Sequence, residues 1–318
     1  MADVMTVTFE VKDFHLAHIF DCGQCFRWNL QPDGSWTGIA GGRWARMTEQ
    51  DGVLTITGTT ASADESEEEF RSFWYDYLDL GRDYGKIKRS LGRGDAAMRR
   101  AIKAGEGIRI LNQDLWETMI SFIISQNNNI PRIKGCIEAV CRQFGETIEV
   151  PVHIFDTVRQ DSPQDHDWPG FDGQQSPFVE SEKLYTIPEP EVLASLTRED
   201  LDGCRLGYRA PYLIETARQV LEMGGIEPVE NHLRQAEDPV AELTYFAGVG
   251  PKVASCIALF GVGRYDAFPI DVWMRRAMHT VYNIEENRVG EMQAYAREHF
   301  GKYGGFAQQY LFYYMRGL

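Results

Sequence analysis

Between positions 7 and 57 apolar and polar residues alternate in short runs, broken by Pro32-Asp33-Gly34, Gly41-Gly42 and Asp51-Gly52. A period of two with turn residues at the breaks predicts an antiparallel sheet, with 36–40, 43–47 and 53–57 as successive hairpin strands. The acidic run at 64–69 then reads as a charged loop entering a helix that carries Tyr75, Tyr77 and Leu78. From about Gly85 the spacing becomes helical and stays so. Trp116, Met119, Ile120, Ile123 and Ile124 form one apolar stripe; Ile133, Ile137, Val140 and Phe144 form another after Pro131, a residue suited to opening a helix. Further helical spacing runs over 192–201, 212–223 and 240–246, and 285–300 and 307–315 read as two closing helices. By contrast, 149–190 is rich in Pro, Gly, Asp and Gln and has no period, so it reads as an acidic surface insertion. The expected architecture is α+β: an N-terminal antiparallel sheet domain over 1–105, packed on two mainly helical subdomains over 106–318.

Composition narrows this picture. At 318 residues and 43% apolar content the chain is long enough for two or three subdomains with substantial cores. No apolar run approaches membrane-spanning length, and residues 1–13 lack the order of a signal peptide. The expectation is a soluble, non-secreted monomer, cytoplasmic, nucleoid-associated or nuclear. The six cysteines are scattered through apolar segments, which favours reduced thiols. Cys22 and Cys25 form a C-x-x-C without the second pair of a zinc site or the helix of a thioredoxin-like site. The net charge of −15 argues at first against a nucleic-acid partner, but the charge is unevenly spread: basic residues crowd 82–109, and acids crowd 64–69 and 156–182.

The chemistry centres on 243–276. Residues 241–246 read as the end of an apolar helix; Gly248 and Gly250 then allow the positive φ of a tight turn, and Pro251 suits the first position of a second helix. This is a helix-hairpin-helix, over about 241–262. Its bare backbone N–H groups beside a helix N-terminus suit a phosphate, which assigns Gly248 and Gly250 to DNA backbone binding. Lys252 begins the second helix, and Asp271 begins the next after the connector 261–269. An amine and a carboxylate sharing a pocket can cut an N-glycosidic bond: the amine attacks the sugar C1′, and the carboxylate stabilises the positive charge that develops there. A free lysine has a pKa of about 10.4, so burial near a helix N-terminus would be needed to supply reactive amine. The plainer alternatives are a phosphate-binding Lys252 and an Asp271 that only caps its helix.

The segments GVGPKVASCIALF and AFPIDVWM resemble the helix-hairpin-helix, Gly/Pro-rich loop, Asp superfamily of DNA glycosylases, and most of all its 8-oxoguanine branch. Separate segments share the resemblance: CGQCFRW, SQNNNIPRI, LGYRAPY and the last helix. It implies excision of 8-oxoguanine opposite cytosine from double-stranded DNA, with Lys252 and Asp271 catalytic and an associated lyase activity. It places the backbone carbonyl of Gly23 on the N7 hydrogen that distinguishes the oxidised base from guanine. Cys256, Gln308 and Phe312 are implied to line, bond and stack with the flipped base. Asn127 is implied to fill the vacated space, Tyr208 to wedge the duplex, and Arg132 and Arg209 to contact the orphaned cytosine. Trp273 departs from the histidine that animal members place near phosphate. No cofactor, catalytic metal or iron–sulfur cluster is expected, with room for a monovalent cation at the hairpin. The rival readings are a bifunctional glycosylase for another oxidised base, of the endonuclease III type, and a non-enzymatic DNA-binding hairpin. The first usually has four cysteines after the aspartate, and none follows Cys256 here; the second would not need the other motifs.

Overall fold

The computed structural model describes residues 3–151 and 181–317. Five strands, β1 (Val4–Glu10), β2 (Asn29–Leu30), β3 (Trp36–Ala40), β4 (Arg43–Gln50) and β5 (Val53–Thr59), form one antiparallel sheet in the order β1-β5-β4-β3-β2. The register explains why the alternation works. Val7 lies opposite Ile56, Ile56 opposite Met47, and Met47 opposite Trp36, a row of apolar side chains on one face. That face packs on Phe20 of α1 (Leu16–Phe20), on Trp28, and on Phe70 and Trp74 of α2 (Glu67–Tyr77). The acidic run belongs partly to this helix rather than to a loop. Ser66 Oγ accepts from the Glu69 N–H at 3.2 Å while Glu69 Oε2 accepts from the Ser66 N–H at 2.8 Å, and Glu67 to Glu69 occupy the positive end of the helix.

The sheet's other face is covered too. β6 (Thr147–Pro151) and β7 (Ser181–Tyr185) pair as an antiparallel ribbon, and Ile148 and Val150 bury themselves against Ile39 and Trp44. The two ends of the expected surface insertion are therefore strand and partly core, because a β-period of only five residues at each end is too short to stand out in sequence. The remainder of that segment, 152–180, lies outside the described residues.

The helices α3 (Tyr84–Leu91), α4 (Ala96–Ala104), α5 (Leu115–Ser125), α6 (Ile130–Phe144), α7 (Pro190–Ser195), α8 (Ala210–Glu222), α9 (Ile226–Gln235), α10 (Pro239–Leu243), α11 (Pro251–Ile257), α12 (Val272–Tyr282), α13 (Val289–His299) and α14 (Gly304–Arg316) surround a second, larger core. Helix α5 runs through it with both faces covered, which is why its sequence is apolar almost throughout. Tyr84, Ile87, Leu91 and Met98 join this core, so α3 and α4 pack with the helices and not with the sheet, although they fall within 1–105. Asp95 binds them there: its Oδ2 accepts from the Tyr282 hydroxyl at 2.8 Å and faces His299 Nε2 at 3.2 Å.

Gln24 joins the two cores. It is 1% exposed; its amide donates to the carbonyls of Ile19 (2.9 Å) and Arg109 (2.8 Å) and accepts from the Leu111 N–H at 2.9 Å. Among the described residues no helix is long and apolar enough to cross a membrane. All six cysteines are unpaired and buried.

Candidate active site

Helix α10 stops at Leu243, short of the expected 246, and the chain turns through Gly248 into α11. Gly248 has φ +73°, and a Cβ there would lie 2.5 Å from the Tyr212 ring, so this turn needs glycine twice over. Gly250 does not share that need. Its φ of −85° and ψ of 175° make it an extended N-cap, and nothing lies within 4 Å of where its Cβ would stand. Open space there leaves the helix N-terminus bare to an approaching backbone. Pro251 opens α11, as its missing N–H favours. The helix ends in a wider π turn over Ala258–Val262, closed by Gly263 at φ +82°. Gly261 thus belongs to that turn, and the connector to α12 begins only at Gly263. Asp271 caps α12, its Oδ1 accepting from the Met274 N–H at 2.8 Å.

Lys252 and Cys256 stand four residues apart on one face of α11, and Gln308 and Phe312 do so on α14. These four, with Gly23 and Asp271, line a single pocket of about 40 Å³. Segments far apart in sequence are therefore brought together, as the resemblance implies. Lys252 is half-buried, with Nζ 5.5 Å from the centroid of the Phe122 ring, and Phe122 stacks on Phe260. No ion pair within 4 Å joins Lys252 to Asp271, which leaves the amine unclaimed by the carboxylate. Burial pushes the Cys256 thiol up from its ordinary value; the Lys252 ammonium opposes this and the Asp271 carboxylate adds to it. Burial also lifts Cys22 to about 12 and Cys25 well above the usual range, so both stay thiols at neutral pH and neither is poised for redox exchange.

Gly23 has φ +76°, with the Phe312 ring 3.2 Å from where a Cβ would stand. The next residue, Gln24, is the buried hub described above, so the loop that presents the Gly23 carbonyl is held on both sides. Gln308 is 5% exposed, and its Oε1 accepts from Gln309 Nε2 at 2.7 Å. Phe122, Phe260, Cys22 and Gln309 also line the pocket and escaped the sequence reading. Phe122 and Phe260 sit in apolar runs where core and pocket look alike, Cys22 reads only as half of a C-x-x-C, and the adjacent pair Gln308-Gln309 in an apolar helix is the one available signal for the last.

A second group lies at the C-terminal end of α5. Asn127 is exposed in the left-handed region at φ +46°, and Tyr208 is 49% exposed, its hydroxyl donating to the Gln126 carbonyl at 3.2 Å. Arg132 is exposed in the first turn of α6. Arg209 differs from expectation. It is 3% exposed, and its guanidinium donates to the carbonyls of Gln126, Asn127 (3.0 Å) and Leu206 (3.2 Å), so here it braces the Asn127 turn rather than facing outward toward a base. A planar, five-donor group satisfies three carbonyls at once, which offsets its desolvation. Trp273 is 41% exposed at the start of α12, with the Arg276 guanidinium 5.4 Å from its ring.

Residues 6–119 match the N-terminal domain of 8-oxoguanine DNA glycosylases, and residues 120–302 match the HhH-GPD superfamily of base excision DNA repair proteins. The chain belongs to the HhH-GPD superfamily. A probable N-glycosylase/DNA lyase of Methanothermobacter thermautotrophicus is 31% identical over 217 residues, 68% of this chain and 65% of that protein. An N-glycosylase/DNA lyase of Saccharomyces cerevisiae is 33% identical over 193 residues, 58% of this chain and 44% of its own. The match thus spans less than two thirds of either curated relative. Among solved structures, the Clostridium acetobutylicum 8-oxoguanine glycosylase/lyase in complex with double-stranded DNA containing cytosine opposite 8-oxoG superposes with a TM-score of 0.81 at 35% identity, over 100% of this chain and 98% of that one. The five-stranded sheet beside a helical HhH-GPD region accords with both family matches.

Proposed function

We propose that this HhH-GPD protein excises 8-oxoguanine from double-stranded DNA opposite cytosine and then cleaves the strand as a lyase. The observation that carries the reading is the convergence of Lys252, Asp271, Gly23, Cys256, Gln308 and Phe312, from distant segments, on one pocket. A DNA-binding hairpin without chemistry has no need of that arrangement.

In this mechanism the flipped base enters the pocket and the Gly23 carbonyl accepts the N7 hydrogen that guanine lacks. The present pocket of about 40 Å³ is far below the roughly 300–1,000 Å³ of ordinary ligand sites, so Phe312 moves off Gly23 as the base arrives. Lys252 Nζ bonds to C1′; the N-glycosidic bond breaks and its electron pair leaves with the base. Asp271, fixed by its cap bond, stabilises the positive charge that builds on the sugar. Nζ gives up protons as the C1′–O4′ bond opens and O4′ takes one, which leaves an imine; loss of a C2′ proton then expels the 3′ phosphate. Gly248, Gly250 and the N-terminus of α11 hold a backbone phosphate. Asn127 and Tyr208 occupy the space left in the duplex, and Arg132 contacts the orphaned cytosine. Arg209 reaches that base only after releasing the carbonyls it now braces.

Single-turnover cleavage of duplexes with 8-oxoguanine opposite each base, with borohydride trapping, tests this. Fast excision opposite cytosine and a trapped adduct are expected, with both lost in Lys252→Gln by at least about a thousandfold, as for removal of a covalent nucleophile. Undiminished excision by Lys252→Gln would exclude the lysine mechanism.

A further inference from the structure

A cleft separate from the base pocket opens between the first turn of α6 and the turns over 198–207. It encloses about 490 Å³ and is lined by Arg132, Arg198, Asp202, Arg205 and the backbone around Gly207. It shares no lining residue with the pocket of Lys252. We infer that this cleft seats a backbone phosphate of the strand that carries the base opposite the lesion, held by Arg198 and Arg205, with Arg132 beside them to reach that base. The inference rests on the functional reading above for the orientation of the DNA.

Three observations carry it. In a chain with a net charge of −15, three guanidinium groups facing one concavity with a single lining carboxylate, Asp202, are an exception to the general balance. Glu199 and Asp200, on the same turn, do not line the cleft, and Asp200 is held instead by the Thr197 hydroxyl and N–H, both at 2.8 Å. Moreover, none of the three arginine side chains has a hydrogen-bond or ion-pair partner among the described residues, whereas Arg27, Arg43, Arg46, Arg82 and Arg264 are each paired. Unpaired convergent cations repel one another, and an anion relieves that repulsion.

The third observation is how Arg205 is held. It sits in the left-handed region at φ +57°, unusual for a side chain of its size, and its carbonyl accepts from Cys136 Sγ at 3.6 Å. Cys136 lies one turn along α6 from Arg132, so the two arginines are held on one rigid helix-and-turn unit, with the positive end of α6 beside them. The position of the cleft then selects the strand. Helix α5 runs from Phe122 in the lysine pocket to the turn of Asn127, where Tyr208 donates to the Gln126 carbonyl, and the cleft is lined by Gly207 and Ala210 on either side of Tyr208 and Arg209. The damaged nucleotide belongs on the near side of that wedge, and its partner strand on the far side.

The test compares the wild type with the pair Arg198→Ala, Arg205→Gly, each in a Lys252→Gln background that cannot turn over. Glycine takes the left-handed conformation freely, so the second change does not strain the turn. Fluorescence anisotropy as a function of salt is read on duplexes with 8-oxoguanine opposite each base and on undamaged duplex. Each phosphate contact contributes about 0.9 to the slope of log affinity against log salt. The pair should lower that slope by about 0.9, so that between 50 and 200 mM salt the wild type loses roughly three- to fourfold more affinity than the variant, whatever the opposite base. A neutral methylphosphonate placed singly along the cytosine strand should weaken the wild type at one or two positions and leave the variant indifferent there. Arg288→Ala, which removes a cation paired to Glu291 at 3.1 Å, should leave the slope unchanged.

An unchanged slope, a loss confined to cytosine-containing duplexes, or methylphosphonate sensitivity only on the lesion strand would each overturn the inference. The functional reading fails on a different result, the absence of lesion-dependent trapping by the wild-type protein, and the salt slope on undamaged duplex still decides the cleft.

Discussion

In the proposed mechanism Gly23 contributes very little to selectivity, and much holds it in place. The proposed role requires only a carbonyl, but φ +76° strains any other residue and a Cβ would push on the Phe312 ring 3.2 Å away. Gly23→Ala should cost about 1–2 kcal/mol of stability from the left-handed conformation alone, measured by thermal unfolding. The same variant should slow single-turnover excision of 8-oxoguanine by at least about tenfold, since its methyl group meets Phe312 where the base must enter. A variant that excises at the wild-type rate would mean that the contact between position 23 and Phe312 does not lie on the path of the base. Lys252 and Asp271 were legible at this scale because glycine, proline and a charged residue at the start of a helix act locally. Phe122 was not, since an aromatic in an apolar helix has the same sequence signature whether it faces a core or lies 5.5 Å from an amine.

At the scale of elements, α5 carries a carboxyl into the helical core. Glu117 in its first turn is pushed up to about 7 by burial, against the pull of Arg27, whose Nη1 is 3.8 Å away, and with a further push from Asp114. A carboxyl raised in the folded state binds its proton more tightly there than in the unfolded chain, so stability falls as pH rises from the ordinary value near 4.5 to about 7 and levels off above it. The difference in unfolding free energy between wild type and Glu117→Gln should therefore change across that window, by at most roughly 3 kcal/mol. Denaturant titrations of both proteins at pH 5 and pH 8 measure it; parallel curves would place the carboxyl elsewhere than in this seam. The helix periods of α5, α6, α8 and α14 were readable because each buries one or more faces at regular spacing. The β6–β7 ribbon was not, because its pairing depends on residues at 147–151 meeting 181–185 across a long excursion, and no local period signals such a meeting.

For the whole molecule, the question is what keeps the sheet domain in register with the lysine. Gln24 does much of this, with bonds to the carbonyls of Ile19 and Arg109 and to the N–H of Leu111, and with its own carbonyl accepting from Gln113 Nε2 at 2.8 Å. Gln24→Ala leaves the Leu111 N–H and the Arg109 carbonyl without partners, while the Ile19 carbonyl keeps the Cys22 thiol at 3.2 Å, at about 1–3 kcal/mol for each orphaned group that water does not reach. The expected outcome is a clear drop in unfolding free energy and slower excision at temperatures where the variant remains folded. An unaltered excision rate would show that the Gly23 loop is held by other contacts. The chain's own pattern settled the α+β class, the hairpin, and the amine and carboxylate at the starts of two helices, because periodicity, turn chemistry and helix starts are properties of neighbouring residues. Which residues share the pocket, that α3 and α4 join the helical core, that Arg209 turns inward to hold the Asn127 turn, and that Arg132, Arg198 and Arg205 face one cleft were decided only by the packing of distant segments. Desolvation, hydrogen-bond satisfaction and charge proximity depend on what surrounds a side chain in space, and in this fold those surroundings come from stretches tens to hundreds of residues apart.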